Sequence, residues 1–213
     1  MATKPNPMSR ITVTCVGISH LLLNPMTPEI LKTLPGSGVS AGAKKAKEEI
    51  QPDDLAASKV IRDDQGRIGL PVEYLYACLI NAGRGVTFSG KKNISTAETS
   101  LMPSFLTIED NFLPFTDPEA KWVTDIRRVV NKTTKGAMAA VRPRFPAWGF
   151  TVTVEVDTSV IGLDKIRQLF NVAGNVQGLG DFRPSKKGPF GRFRIAEDGW
   201  KVSNVPVAFA QAA

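Results

Sequence analysis

The chain has 213 residues, an apolar share of 42% and a net charge of +7, which predicts one folded domain and excludes wholesale disorder. No apolar run reaches the ~18–20 residues that cross a bilayer, and the opening "MATKPNPMSR" lacks the apolar stretch of a signal peptide. A cytoplasmic protein with no membrane partner is therefore expected, and Cys15 and Cys78, both in apolar surroundings, read as reduced core residues rather than a disulfide.

In chain order, "RITVTCVGIS" alternates β-branched and small residues and predicts a first strand over 10–19. "MTPEILKTL" reads as a short helix with Pro28 in its first turn, and "AGAKKAKEEI" as a polar one, with the flexible "PGSGVSAG" between them. Residues 24–69 as a whole read as a surface insertion. "PVEYLYACLINAGR" predicts a helix over 71–82 with Leu75, Cys78 and Leu79 on one face, stopped by Gly83. The polar stretch 86–100 reads as a second, mobile insertion.

"SFLTIED" and "WVTDIRRVV" then read as strands separated by "FLPFTDPEAK", and residues 149–156 form the cleanest alternating strand. "GLDKIRQLFNVAG" is an amphipathic helix closed by Gly174. A glycine-rich loop follows, and "FGRFRIAE" is the last strand. The order strand, helix, strands, helix, strand predicts an α+β fold of ferredoxin-like, RNA-recognition-motif-like type: an antiparallel sheet, two helices and inserted surface loops in a single domain over 1–213. One face of such a sheet is left free for ligand.

The positive charge is concentrated in two segments. Residues 121–144 hold Lys121, Arg127, Arg128, Lys132, Lys135, Arg142 and Arg144 against Asp125 alone. Residues 178–194 hold Arg183, Lys186, Lys187, Arg192 and Arg194 against Asp181 alone. Together they exceed the net charge of the whole chain, a focused potential suited to a polyanion. Gly178 and Gly180 open a glycine-rich loop whose backbone N–H groups can approach phosphates, with Phe182 or Phe190 available to stack on bases, whereas Phe193 reads as core.

Catalytic and metal chemistry is poorly provided for, and no cofactor is expected. His20 is the only histidine and reads as a packed residue. The acidic pairs Asp53/Asp54, Asp63/Asp64 and Glu109/Asp110 lie in polar connections and read as solvated turn residues.

Four stretches, in order, resemble the RAMP superfamily, which includes the backbone subunits of CRISPR effector complexes. They are "RITVTCVGISHLLLN", "KVIRDDQGRIGLPVEYLYACLINAGR", "DIRRVVNKTTKGAMAAVRPRFPAWGFTVTVEVD" and the glycine loop "GLGDFRPSKKGPFGRFRI". The resemblance implies a ferredoxin-like fold that binds guide RNA without reading its sequence and stacks along it. It implies roles at the RNA or a neighbouring subunit for Gly178, Gly180, Arg183, Lys186, Lys187 and Gly191, with Arg84 extending the basic surface. The chain departs from the target-cleaving branch: "LPVEYLYACL" has no Gly-Ser-Ser, and Ala57 stands about where that branch has an aspartate. It is also short for a backbone subunit, as a stand-alone relative from a mobile element would be.

The leading reading is thus a non-catalytic, sequence-tolerant binder of single-stranded nucleic acid, guide RNA in particular, that associates with itself along the strand and with other effector-complex subunits. Two alternatives stay open: an RNA-processing endonuclease using His20, and a single-stranded DNA binding or annealing protein.

Overall fold

The computed structural model describes residues 7–26, 51–130 and 136–204. The helices expected from Pro28 on and over 41–50, together with Lys132 and Lys135, lie outside the described residues.

The central element is a four-stranded antiparallel sheet. Strand β1 (Met8–Gly17) pairs on one side with β10 (Gly149–Asp157) and on the other with β11 (Phe193–Asn204), and β10 pairs in turn with β6 (Leu106–Ile108). Helix α2 (Val72–Ala82) lies in sequence between β1 and β6, and helix α3 (Leu163–Val172) lies between β10 and β11. The sheet order β11-β1-β10-β6 with these two helices is the βαββαβ topology of the ferredoxin-like fold. The α+β architecture expected from the sequence is the one observed.

Alternation explains the layering. Ile11, Val13 and Cys15 of β1 and Phe150, Val152, Val154 and Val156 of β10 are buried on one face, as the two-residue period requires. They meet Leu75, Cys78, Leu79 and Ala82 of α2 and Ile166, Leu169 and Phe170 of α3 in one continuous core. Each fully buried large side chain there contributes roughly 1.5–3 kcal/mol. The opposite face pairs Thr12 with Thr153 and Thr14 with Thr151.

A second sheet, absent from a minimal ferredoxin-like core, stands beside the first. It is β2 (Leu21–Leu22), β9 (Ala137–Phe145) and β8 (Val123–Val130), in the order β2-β9-β8. Among the described residues there are also two small ribbons: β3 (Gly69–Pro71) with β7 (Phe112–Pro114), and β4 (Thr87–Ser89) with β5 (Lys92–Asn93).

Three expectations need correction. Within the expected insertion at 24–69, helix α1 (Pro52–Ala57) packs on β8 and β9 with Ala56 buried, and Ile68 is buried too, so residues 51–69 contribute core. Lys59 ties this segment down by donating from Nζ to the Val141 carbonyl at 2.7 Å. The stretch 86–100 is a short ribbon, β4–β5, with buried flanks at Val86, Ile94 and Ser95 rather than a mobile loop. Gly174 does not end its helix: the chain continues as a π turn, Ala173–Gln177. A Cβ there would overlap the Phe193 carbonyl, so the glycine serves close helix–strand packing instead. Among the described residues no helix is long and apolar enough to cross a membrane.

Candidate nucleic-acid interface

The glycine loop runs from the π turn to β11 and is fixed at both ends by backbone hydrogen bonds. Gly178 N–H donates to Ala173 O at 2.8 Å and Leu179 N–H to Gly191 O at 2.9 Å. The loop docks on the corner after β1: Asp181 N–H donates to Leu22 O at 2.8 Å, and Gly191 N–H donates to His20 O at 2.7 Å. Leu179 is buried and anchors the loop to the core. Gly178, Gly180 and Gly191 have φ of +69°, +73° and +71°, and a Cβ on Gly180 or Gly191 would overlap a carbonyl of the chain itself. The glycines are therefore required by close approach of the protein to itself.

Inside this frame the basic residues differ in role. Arg183 is braced, donating from a terminal nitrogen to Gly180 O at 2.7 Å and from Nε to Ser185 Oγ at 3.0 Å. Lys186 belongs to the exposed turn Pro184–Lys186, and Lys187 follows it in the left-handed region at φ +62°. Phe182 also has positive φ, +47°, and is 39% exposed, while Phe190 and Phe193 are buried. Only Phe182 among the three is placed to stack on a base.

Between the loop and α2 lies a groove of about 760 Å³, lined by Arg84, Arg183 and Lys186 and by Tyr74, Asn81 and Gln177. Arg84 reaches it from the single turn that ends α2. Of the two acids there, Asp181 is neutralised by Arg142 at 2.7 Å, and Glu73 sits in the first turn of α2. Burial raises the Tyr74 phenol above its ordinary pKa, and the nearby positive charge of Arg183 pulls it back. Cys78 lies at the groove floor, its thiol hydrogen-bonded to Gly178 O at 3.4 Å and pushed up to about 12 by burial. Burial also raises the Cys15 thiol. Because the thiolate is the nucleophile, both cysteines should stay unmodified by a thiol reagent at pH 8 until the protein is unfolded. Rapid labelling of native protein would contradict the packing.

The second basic cluster stands on the β8–β9 hairpin and is organised by its one acid. Asp125, buried, receives Arg127 at 2.8–3.1 Å through two nitrogens, with Arg142 at 3.8 Å and Arg144 at 3.7 Å on its other sides. The Asp125 hydrogen bond raises the Arg127 pKa further. Arg127 also lies 4.9 Å over the Phe190 ring, and Arg144 donates to His20 Nδ1 at 2.9 Å. Arg142, expected at the ligand, is only 4% exposed and spans Asp125 and Asp181. It is a strut between hairpin and loop, because two carboxylates claim its guanidinium. Arg128 faces solvent on the other side of the hairpin, beside exposed Ile126 and Val130.

The free face of the four-stranded sheet carries threonines in place of aromatic rings, and its Arg10 is paired with Glu109 at 2.7 Å. The structure thus moves the candidate site from that face to the groove beside α2. Tyr74, Asn24, Asn81 and Gln177 line the groove and are not singled out by sequence reasoning, since isolated polar residues in a helix and turns carry no distinguishing pattern.

The α+β topology, the helix led by Pro71 and the glycine loop before the last strand are present where the sequence puts them. No protein-family model matches the chain, and no curated protein matches it. Among solved structures it is similar to a chain of a type III-B Cmr-beta complex bound to cognate target RNA, determined by cryo-EM. The two share 11% identity at a TM-score of 0.49, over 92% of this chain and 61% of the other. This chain therefore spans about three fifths of that chain's length.

Proposed function

We propose that the chain is a non-catalytic, sequence-tolerant binder of single-stranded RNA, of the guide-RNA kind, that associates with copies of itself and with other effector subunits along the strand. The observation that carries this reading is the groove: Arg84, Arg183 and Lys186 converge on it, and of its two acids, Glu73 and Asp181, the second is already neutralised. Cations spaced along a groove suit a backbone held by phosphates, and Phe182, exposed on the same loop beside Phe190 rather than in the groove lining, suits a base held by stacking. Such interactions do not read sequence. A non-catalytic role is supported by His20, whose Nδ1 takes a hydrogen bond from Arg144 and whose ring stacks on Phe190, so that it serves the loop rather than a ligand. Self-association is supported by the hairpin, whose strand β8 is an outer strand carrying Ile126 at 55% and Val130 at 58% exposure.

The test is binding of single-stranded RNA across a salt series. Replacing Arg183, Lys186 and Lys187 by alanine is expected to weaken binding equally for all sequences. The logarithmic salt slope should fall by ~0.7 for each phosphate that the variant no longer neutralises. Unchanged affinity in that variant, or specific RNA fragments that vanish in His20→Ala, would overturn the reading.

A further inference from the structure

Resting on that reading, we propose that Asn24 and Asn81 make the groove selective for ribose over deoxyribose by hydrogen bonding to 2′-hydroxyls. Phosphate and stacking interactions treat RNA and DNA alike, so any preference has to come from groups that meet the sugar. The groove offers neutral amides beside its cations, with Asn24 and Asn81 both in its lining.

Each of these amides is pinned at one end by the protein. Asn81 Nδ2 donates to Ala77 O at 2.8 Å within α2, which orients the amide and leaves Oδ1 as an acceptor. Asn24, just after β2, is held the opposite way. Its Oδ1 accepts from Lys59 Nζ at 2.9 Å, leaving the amide N–H groups as donors. Lys59 is itself anchored on the Val141 carbonyl.

The pair therefore presents one fixed acceptor and one fixed donor along a groove that also holds Arg84 and Arg183. A 2′-hydroxyl is both donor and acceptor. It can donate to Asn81 or accept from Asn24 without either side chain having to change its internal bond. Little side-chain freedom is lost on binding, so more of each hydrogen bond appears as affinity.

The experiment compares one sequence as RNA, DNA and 2′-O-methyl RNA at fixed salt, by fluorescence anisotropy. RNA is expected to bind roughly tenfold tighter than DNA, because a single hydrogen bond is worth about three- to tenfold. The 2′-O-methyl strand keeps an acceptor without a donor and should fall between them. In Asn81→Ala the RNA-to-DNA ratio should drop roughly fivefold, and in the double variant with Asn24→Ala it should approach one. Equal affinity of the wild type for RNA and DNA overturns the inference while leaving the groove reading intact. So does a double variant that loses RNA and DNA binding in equal measure. If neither strand binds the wild type with a salt dependence, the groove reading itself has failed. Should the double variant melt early, single 2′-deoxy replacements in the RNA, tested on the wild type, decide the same question: no position sensitive to deoxy replacement overturns the inference.

Discussion

Replacing Asp125 by alanine is expected to lower stability by about 3 kcal/mol and the melting temperature by roughly 6–12 °C. The carboxylate is 7% exposed and lies among Arg127, Arg142 and Arg144. Its removal leaves three guanidinium groups facing one another. For Arg127 the loss is small, since it is 42% exposed and water screens it. Arg142 decides the outcome. Its side chain is 5% exposed and among the described residues keeps only Asp181 as a carboxylate partner, its Nε having no hydrogen bond there. A buried cation that loses the more distant of two carboxylates while two like charges remain beside it is expensive.

The magnitude sits at the low end for a broken buried pair because Asp181 remains. Arg127→Ala should cost under about 1 kcal/mol, and Asp125→Ala combined with Arg142→Met should cost less than the two singles added. Thermal and denaturant unfolding of these four variants beside the parent checks this. A loss in Asp125→Ala no larger than in Arg127→Ala would show that the cluster is surface decoration.

That cluster also marks the boundary of what the sequence reveals. Strand β1, helix α2, strand β10 and helix α3 are legible because each buries one face, which imposes a period of two or 3.6 on the residues. Strand β9 is not recognisable from its own pattern: "AMAAVRPRF" lacks a clean alternation and contains Pro143, a residue expected to demote a strand. Pro143 is tolerated because its carbonyl is what the fold uses, accepting from Leu23 N–H at 3.2 Å. Charge counting finds both basic segments but not the pairing within them. Asp125 and Asp181 look like minor exceptions in cationic runs, yet they withdraw Arg142 from the surface and join the two runs into one body. Lys59 shows the same coupling, its pKa lowered by burial first and by Arg142 second. The groove is illegible for a different reason. It is assembled from α2, the π turn and the loop, residues about a hundred positions apart, and its amides acquire meaning only through their internal bonds.

Gly191→Ala is expected to abolish most RNA binding, by tenfold or more, while the four-stranded sheet stays folded. Two costs combine at this position. The residue has φ +71°, a conformation that costs an L-residue roughly 1–2 kcal/mol. Its added Cβ would also overlap the Leu179 carbonyl, which is backbone and cannot swing aside. Relief requires the loop to move, and that breaks the Gly191–His20 and Leu179–Gly191 hydrogen bonds that hold it on the β1 corner. Arg183 and Lys186 would then no longer face α2 across the groove.

Gly180→Ala should behave alike, because its φ is +73° and its Cβ would meet the Leu22 carbonyl. Gly66→Ala separates the two costs. Gly66 has φ +78° but nothing within 4 Å of its Cβ position, and it lies in the turn closed by Asp63 and Arg67. That variant should lose about 1 kcal/mol of stability from backbone strain alone and no affinity. RNA titration with limited proteolysis of the loop distinguishes the cases. The Gly191 variant should be cut between Phe182 and Gly188 and bind poorly, while the Gly66 variant resists cutting there and binds as the parent does. Full RNA affinity in Gly191→Ala would mean that the loop can leave its docked position without cost, and the groove would then not be the binding site.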